Sequence, residues 1–189
     1  MHAGLVMARE GFVLWLEGLP GSGKTTLANL ISARLRESGW PVEILDGDEV
    51  RRGLSPELGF SRKDRETHAH RVSYVSHLLS RQNVAVIVAL ITPYQTSREN
   101  ARRVIGDRIF EVWVDCPVEV CQKRDPKGIY SGHQKGTVKN LTGVDDPFEN
   151  PTHPDLVVDS NKLAPGNCVA KILDALMARG FLEGRLDIV

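Results

Sequence analysis

The sequence predicts a doubly wound α/β fold, with a mainly parallel sheet covered by helices on both faces. Three observations carry that expectation. Apolar runs without polar alternation recur along the chain, as strands buried on both faces require. Stretches with apolar residues at helical spacing separate those runs. A glycine-rich turn, GLPGSGKTT, joins the first run to the first helical stretch. Alternation of strand and helix in this manner builds parallel sheets through crossover helices.

The elements follow in order. Phe12 to Glu17 (FVLWLE) is a compact apolar run ended by Gly18, as a buried strand would be. Lys24 to Ser38 then places Leu27, Leu30, Ile31 and Leu35 on one helical face, and Gly39 suits a helix stop. Val42 to Leu45 reads as a second strand running into Asp46-Gly47-Asp48. Ser61 with Asp64 marks a capped start for a long helix that turns Val72, Val75, Leu78 and Leu79 inward and ends near Asn83.

Val84 to Ile91 (VAVIVALI) is the most apolar stretch and suits a central strand, and Arg108 to Val114 repeats the pattern. Leu156 to Val158 is a short last strand, and Val169, Ile172, Leu173 and Leu176 form the stripe of a closing helix. Asp125 to Pro154 breaks the rhythm: it is rich in glycine, proline and charge, and too long for an ordinary connection. Such a segment is a mobile lid or a disordered loop.

With 189 residues, 41% hydrophobic and 25% charged, the chain suits one domain spanning 1–189, with an extension over 1–10 and a lid over 125–154. Lysine plus arginine and aspartate plus glutamate each number 24, so no overall field gathers nucleic acid or an anionic membrane. Cys116, Cys121 and Cys168 form no CxxC pair, and an odd count suits buried thiols in a reducing compartment. The opening MHAGLVMAREGF lacks a basic region followed by a long apolar one, and no segment approaches roughly 18 uninterrupted apolar residues. A cytoplasmic location is expected.

Residues 18 to 25 match G-x-x-x-x-G-K-[ST] between a strand and a helix, the setting that gives this phosphate-binding motif its specificity. Gly18, Gly21 and Gly23 let the backbone turn its amides inward around Ser22. Lys24 reaches the β and γ phosphates, and Thr25 ligates magnesium. Thr26 contacts an α-phosphate or is simply a first-turn helix residue. The fold class is therefore that of the P-loop nucleoside triphosphatases. Asn161-Lys162-Leu163-Ala164 resembles the guanine-reading N-K-x-D but has alanine where the aspartate should stand, and no D-x-x-G follows the third strand. ATP is therefore favoured over GTP.

The apolar strand VAVIVALI runs into Thr92-Pro93 rather than a carboxylate, so Asp46 or Asp48 must supply the magnesium-organising charge, through water. Asp48 is also placed to orient an acceptor hydroxyl or take its proton. Asp-Gly-Asp equally suits a tight turn with a helix N-cap. Arg51 and Arg65 add positive charge beside that edge, suited to an anionic acceptor. Phe60 could stack on a purine or be an ordinary core residue. Arg124 and Lys127 flank Asp125-Pro126, where a helix should give way to the lid.

These residues together resemble the adenylyl-sulfate kinase (APS kinase) family, from about Gly11 to about Asp159. The resemblance rests on WLEGLPGSGKTT, LDGDEVRRGL, LGFSRKDR, ITPYQTSRENAR, FEVWVDCPVEVCQKRDPKGIY and LTGVDDPFENP, in family order and spacing. It implies transfer of the γ-phosphate of ATP, with magnesium, to the ribose 3′-hydroxyl of adenylyl sulfate. It further implies that Asp48, Arg51, Phe60, Arg65, Ile91 and Lys127 line the acceptor pocket and that Arg124 faces ATP. A lid over Asp125 to Pro151 would exclude water from the transferring group. A homodimer and a functional link to ATP sulfurylase come with the family.

Several positions depart from the family pattern. His68 stands where the family has an asparagine that helps hold the acceptor. Leu141 stands where a lid phenylalanine covers the acceptor's adenine, and Thr92 where the family has a serine phosphorylatable in some members. The lid stretch Ser131 to Gly136 is less basic than usual, and Lys139 compensates if it points inward. These departures leave room for a different nucleotide-linked anionic acceptor. A regulator that binds nucleotide without transfer is opposed by intact Lys24, Thr25, Asp48 and Arg65.

Overall fold

The computed structural model describes residues 9–183, so residues 1–8 of the expected extension and 184–189 lie outside the described residues. Strand β1 (Val13–Glu17) leads through the glycine turn into helix α1 (Lys24–Glu37). Strand β2 (Val42–Asp46) runs into helix α2 (Gly47–Leu54), and the long helix α3 (Arg62–Ser80) precedes strand β3 (Ala85–Ala89). Helix α4 (Gln95–Ile105) and a single 3-10 turn lead to strand β4 (Ile109–Asp115). Helices α5 (Val118–Arg124) and α6 (Ile129–Gln134), strand β5 (Leu156–Asp159) and helix α7 (Pro165–Ala178) complete the fold.

All five strands pair in parallel in the order β2-β3-β1-β4-β5. Strand β1 is central, with Leu14 opposite Ile87 on one side and Phe110 on the other. Its residues are buried on both faces, which is why its sequence is continuously apolar. Phe12, Leu14 and Leu16 face Ile31 and Leu35 of α1 and Ile172 of α7. Val13 and Trp15 face the opposite way, toward Val72 of α3 and Ala101 and Ile105 of α4. Helices thus cover both faces, and all five strands point their C-terminal ends at one edge.

Two inward-facing assignments need correction. Leu30 is 41% exposed and Leu78 42% exposed. Helix α1 buries Leu27, Ala28, Ile31, Ser32 and Leu35, which leaves Leu30 outside the stripe. Helix α3 buries Ala69, Val72, Ser73 and Ser76 instead of its leucines. Ser73 and Ser76 satisfy their hydroxyls on the carbonyls of Ala69 and Val72, so small polar residues occupy a tightly packed face. Helix α3 ends at Ser80, three residues before the expected Asn83, which adopts a positive φ of 61°.

Segment 125–154 holds more structure than its composition suggests. Asp125 caps the start of α6 by accepting from the amides of Tyr130 and Ser131. Tyr130 and Leu141 then join Cys116 and Cys121 in a small apolar cluster against α5. A six-residue helix is too short to leave a periodic signal. The three thiols are free and buried. Among the described residues, no helix is long and apolar enough to cross a membrane.

Candidate active site

A cleft of about 940 Å³ opens along the C-terminal edge of β1, β2 and β3, where parallel sheets bind their ligands. Residues 20–26 form its floor. The turn needs glycine for distinct reasons. Gly23 has φ of 103° at the N-cap of α1, a conformation that disfavours any side chain. At Gly18 a Cβ would stand 2.5 Å from the Val114 carbonyl oxygen, so this glycine lets β1 approach β4. Gly18 itself does not line the cleft.

The ammonium of Lys24 donates to the carbonyls of Gly18 and Leu19, at 2.9 and 2.7 Å, and to Ser22 Oγ at 3.3 Å. Burial pushes its pKa down to about 8. It is therefore a poorly solvated cation gathered at the loop, which is the charge a phosphate would meet. Beside it the Thr25 hydroxyl donates to Asp46 Oδ2 at 2.7 Å. Asp46 also caps α2 by accepting from the Asp48 amide at 3.2 Å. Asp46 is thus the N-cap that Asp-Gly-Asp suggests, while it also meets Thr25. Asp48 projects from the first turn of α2 to pair with Lys127 Nζ at 2.5 Å, which raises the lysine's pKa.

The opposite half of the cleft brings together Arg51, Phe60, Arg65, His68, Ile91 and Thr92. Phe60 is 51% exposed, so it is not a core residue. The guanidinium carbons of Arg51 and Arg65 lie 4.9 and 5.4 Å from its ring centroid, a cation-and-aromatic surface. Arg65 also donates to the Asn140 carbonyl at 2.7 Å, tying this wall to segment 125–154. Thr92 holds φ of 46°, rare for a β-branched residue, and its hydroxyl accepts from the Trp15 indole at 3.0 Å.

His68 is only 2% exposed. Its Nδ1 meets Ser55 Oγ at 3.0 Å, while Nε2 is buried without a partner on a residue that lines the cleft. Burial, then Arg51 and Arg71, push its pKa down to about 4, so the ring is neutral at pH 7. Because the unfolded value is 6.5, protonation favours the unfolded chain as pH falls from 6.5 toward 4. Stability conferred by the neutral ring is complete above that window and is lost through it, by about 1.4 kcal/mol per unit. Urea unfolding at pH 7 and 4.5 should therefore show a larger loss for the parent than for His68→Asn. Equal losses would remove His68 as the cause.

Leu141 is 4% exposed within the cluster of Tyr130 and Cys121, and it does not line the cleft. Leucine fills an apolar hollow there, which its isolated place in a glycine-rich segment does not reveal. At the far end, Arg124 donates to the Ser160 carbonyl at 2.7 Å, and Asn161, Lys162 and Leu163 continue that wall beside Thr26. Ser160 and Cys168 line it too and were missed in the sequence. The signal for those two was their position at or beyond the end of a parallel strand. Ala164 stands at the N-cap of α7, so no carboxylate faces a base there.

A profile of the adenylylsulphate kinase family matches residues 10–159. The chain is 42% identical over 177 residues to an adenylyl-sulfate kinase of Synechococcus sp. (strain JA-3-3Ab), covering 94% of this chain and 100% of the relative. It is 46% identical over 173 residues to a probable adenylyl-sulfate kinase of Pyrococcus abyssi, covering 92% and 99%. Among solved structures, it is similar to the Mycobacterium tuberculosis APS kinase in complex with AMPPNP and APS. The TM-score is 0.85 and the identity 37%, over 89% of this chain and 98% of that one.

Proposed function

The chain belongs to the adenylyl-sulfate kinase family, and from that premise we propose that it transfers the γ-phosphoryl group of ATP to the ribose 3′-hydroxyl of adenylyl sulfate. The products are 3′-phosphoadenylyl sulfate and ADP, in sulfate activation. The observation that carries this reading is one cleft with two unlike halves. Residues 20–26, Lys24 among them, line one half, a ring flanked by two guanidinium groups lines the other, and Asp48 lines the same cleft, paired with Lys127.

The triphosphate lies along residues 20–26, with its γ-phosphate at Lys24 and its base toward Arg124 and Asn161. Positioning and charge stabilisation do most of the work in such transfers. The acceptor's adenine stacks on Phe60, and its phosphosulfate meets Arg51 and Arg65. Asp48 accepts a hydrogen bond from the 3′-hydroxyl, aims that oxygen at the γ-phosphorus, and takes its proton as the new P–O bond forms. The bond to the β-phosphate oxygen breaks and ADP leaves. His68 Nε2 is an additional polar contact for the acceptor, and segment 125–154 shields the reaction from water.

Magnesium is part of the same reading. Thr25 and Asp46 present two hard oxygens at the loop's mouth, and magnesium usually takes one or two protein oxygens while keeping waters and phosphates. When bound, the ion neutralises charge on the phosphoryl oxygens. A cytoplasmic location, a homodimer and a functional link to ATP sulfurylase complete the proposal.

A panel of nucleotide-linked anions supplied with ATP and magnesium tests the acceptor. Adenylyl sulfate should be turned over best, and comparable turnover of an unrelated acceptor with none of adenylyl sulfate would overturn the assignment. Phe60→Ala should raise KM for the acceptor roughly 5- to 150-fold, the equivalent of about 1 to 3 kcal/mol of stacking, with KM for ATP unchanged. Steady-state kinetics with each substrate varied in turn checks it; a rise confined to ATP would place the ring in the other half.

A further inference from the structure

Beneath the cleft, Arg98 and Glu17 form a buried hydrogen-bonded pair, with Arg98 Nε donating to Glu17 Oε2 at 2.6 Å. Neither residue touches the cleft, and the proposed chemistry uses neither. Their connections are unusual in reach. Glu17 immediately precedes Gly18, the first residue of the phosphate loop. Arg98 Nη2 donates to the Thr92 carbonyl at 2.8 Å, and so holds the strained residue of the acceptor wall. From below, the Trp15 indole holds the same residue by its hydroxyl. The Gly18 amide meets the Ile91 carbonyl at 3.4 Å, so loop and wall are already neighbours.

The third connection runs to segment 125–154. The Arg98 guanidinium lies 5.3 Å from the centre of the Phe148 ring. Glu149, next in the chain, accepts from the Gln95 amide at 2.7 Å and donates its own amide to the Pro93 carbonyl at 2.9 Å. It thereby caps α4, the helix that carries Arg98 and has no cap of its own. One planar cation thus contacts the strand before the phosphate loop, the acceptor wall and the far end of the lid. Five donors in a fixed fork suit arginine to that task and lysine poorly.

A buried cluster keeps the cation in place. Glu111 lies near Glu17, and Arg102 bonds both Glu111 and Asp155 at 2.7 and 2.9 Å. Burial and the neighbouring Glu111 carboxylate push Glu17 well above the usual carboxylate range.

We propose that Arg98 is a positioning residue that holds the phosphate loop, the acceptor wall and the lid strap in one register, so that nucleotide bound at the loop is felt at the other two. This inference rests on the kinase reading of the cleft. Arg98→Lys keeps the charge but cannot reach Glu17, Thr92 and Phe148 together. It should lower kcat at least tenfold while KM for ATP stays within threefold, and it should raise ATP hydrolysis relative to transfer. Phe148→Leu removes only the ring contact and none of the pair's hydrogen bonds; it should fold, checked by circular dichroism, and shift the same ratio in the same direction.

Amide hydrogen exchange with and without AMPPNP supplies a readout that needs no acceptor. In the parent, AMPPNP should protect residues 91–96 and 141–150, and both variants should lose that protection while binding AMPPNP within threefold of the parent. Unaltered protection and an unaltered hydrolysis ratio in Phe148→Leu, or in a folded Arg98→Lys, would overturn the inference. If the parent transfers nothing to adenylyl sulfate yet shows the protection pattern, the acceptor assignment fails and the coupling stands.

Discussion

Lys24→Ala should reduce transfer by about 10³-fold, the upper range for deleting one preorganised charge at a reacting centre. The ammonium is already gathered at the loop by two carbonyls and Ser22, so little reorganisation separates its resting place from a phosphate. Its removal should leave acceptor binding unchanged, which isothermal titration with adenylyl sulfate can check. A second consequence concerns stability. Burial holds the lysine near pKa 8 against 10.5 when unfolded, so the protonated form costs folded-state free energy. That penalty is complete below pH 8 and fades as pH rises from 8 toward 10.5, because there the unfolded chain binds the extra proton. Lys24→Met should therefore raise the nucleotide-free Tm at pH 7, by the equivalent of about 1 to 3 kcal/mol. A variant that keeps a tenth of parental turnover, or loses Tm, would contradict the role drawn from the geometry.

Asp48→Asn should cost about 10² to 10³-fold in kcat, within the range for losing a proton acceptor, with KM for ATP little changed. The amide can still orient a hydroxyl but cannot take its proton. Comparison with Asp48→Ala then separates the two duties: equal losses assign the effect to proton transfer, and a further loss in alanine assigns part of it to orientation. Because Lys127 pairs with Asp48, either variant also frees that lysine. Lys127→Ala is the necessary control, and its own loss should fall on acceptor KM. Turnover of Asp48→Asn above one third of the parent would remove the carboxylate from the chemistry.

Much of this was legible in the sequence because the signals are local. A strand buried on both faces must be apolar throughout, so Val13–Glu17 and Ala85–Ala89 declare themselves. The phosphate loop is equally plain, since its φ values demand glycine and its charge demands lysine within nine residues. Ser61 reads as a cap and serves as one, accepting from the Asp64 amide at 3.2 Å. Leu30 and Leu78 misled because burial follows what each helix packs against, and serines that bond back to their own helix can hold the inward face. Helix α6 was hidden by its shortness.

The amino-acid order by itself determined the family, the parallel sheet and the phosphate cradle, all properties carried by neighbours along the chain. Only the folded molecule decided that Gly18 packs against the Val114 carbonyl, that Leu141 fills a hydrophobic hollow, and that Thr25 meets Asp46 while Asp48 meets Lys127. Glu17 and Arg98 stand 81 positions apart and show nothing when read singly. Their pairing exists because β1 and α4 pack together, and a buried charge is tolerated only where packing delivers its partner.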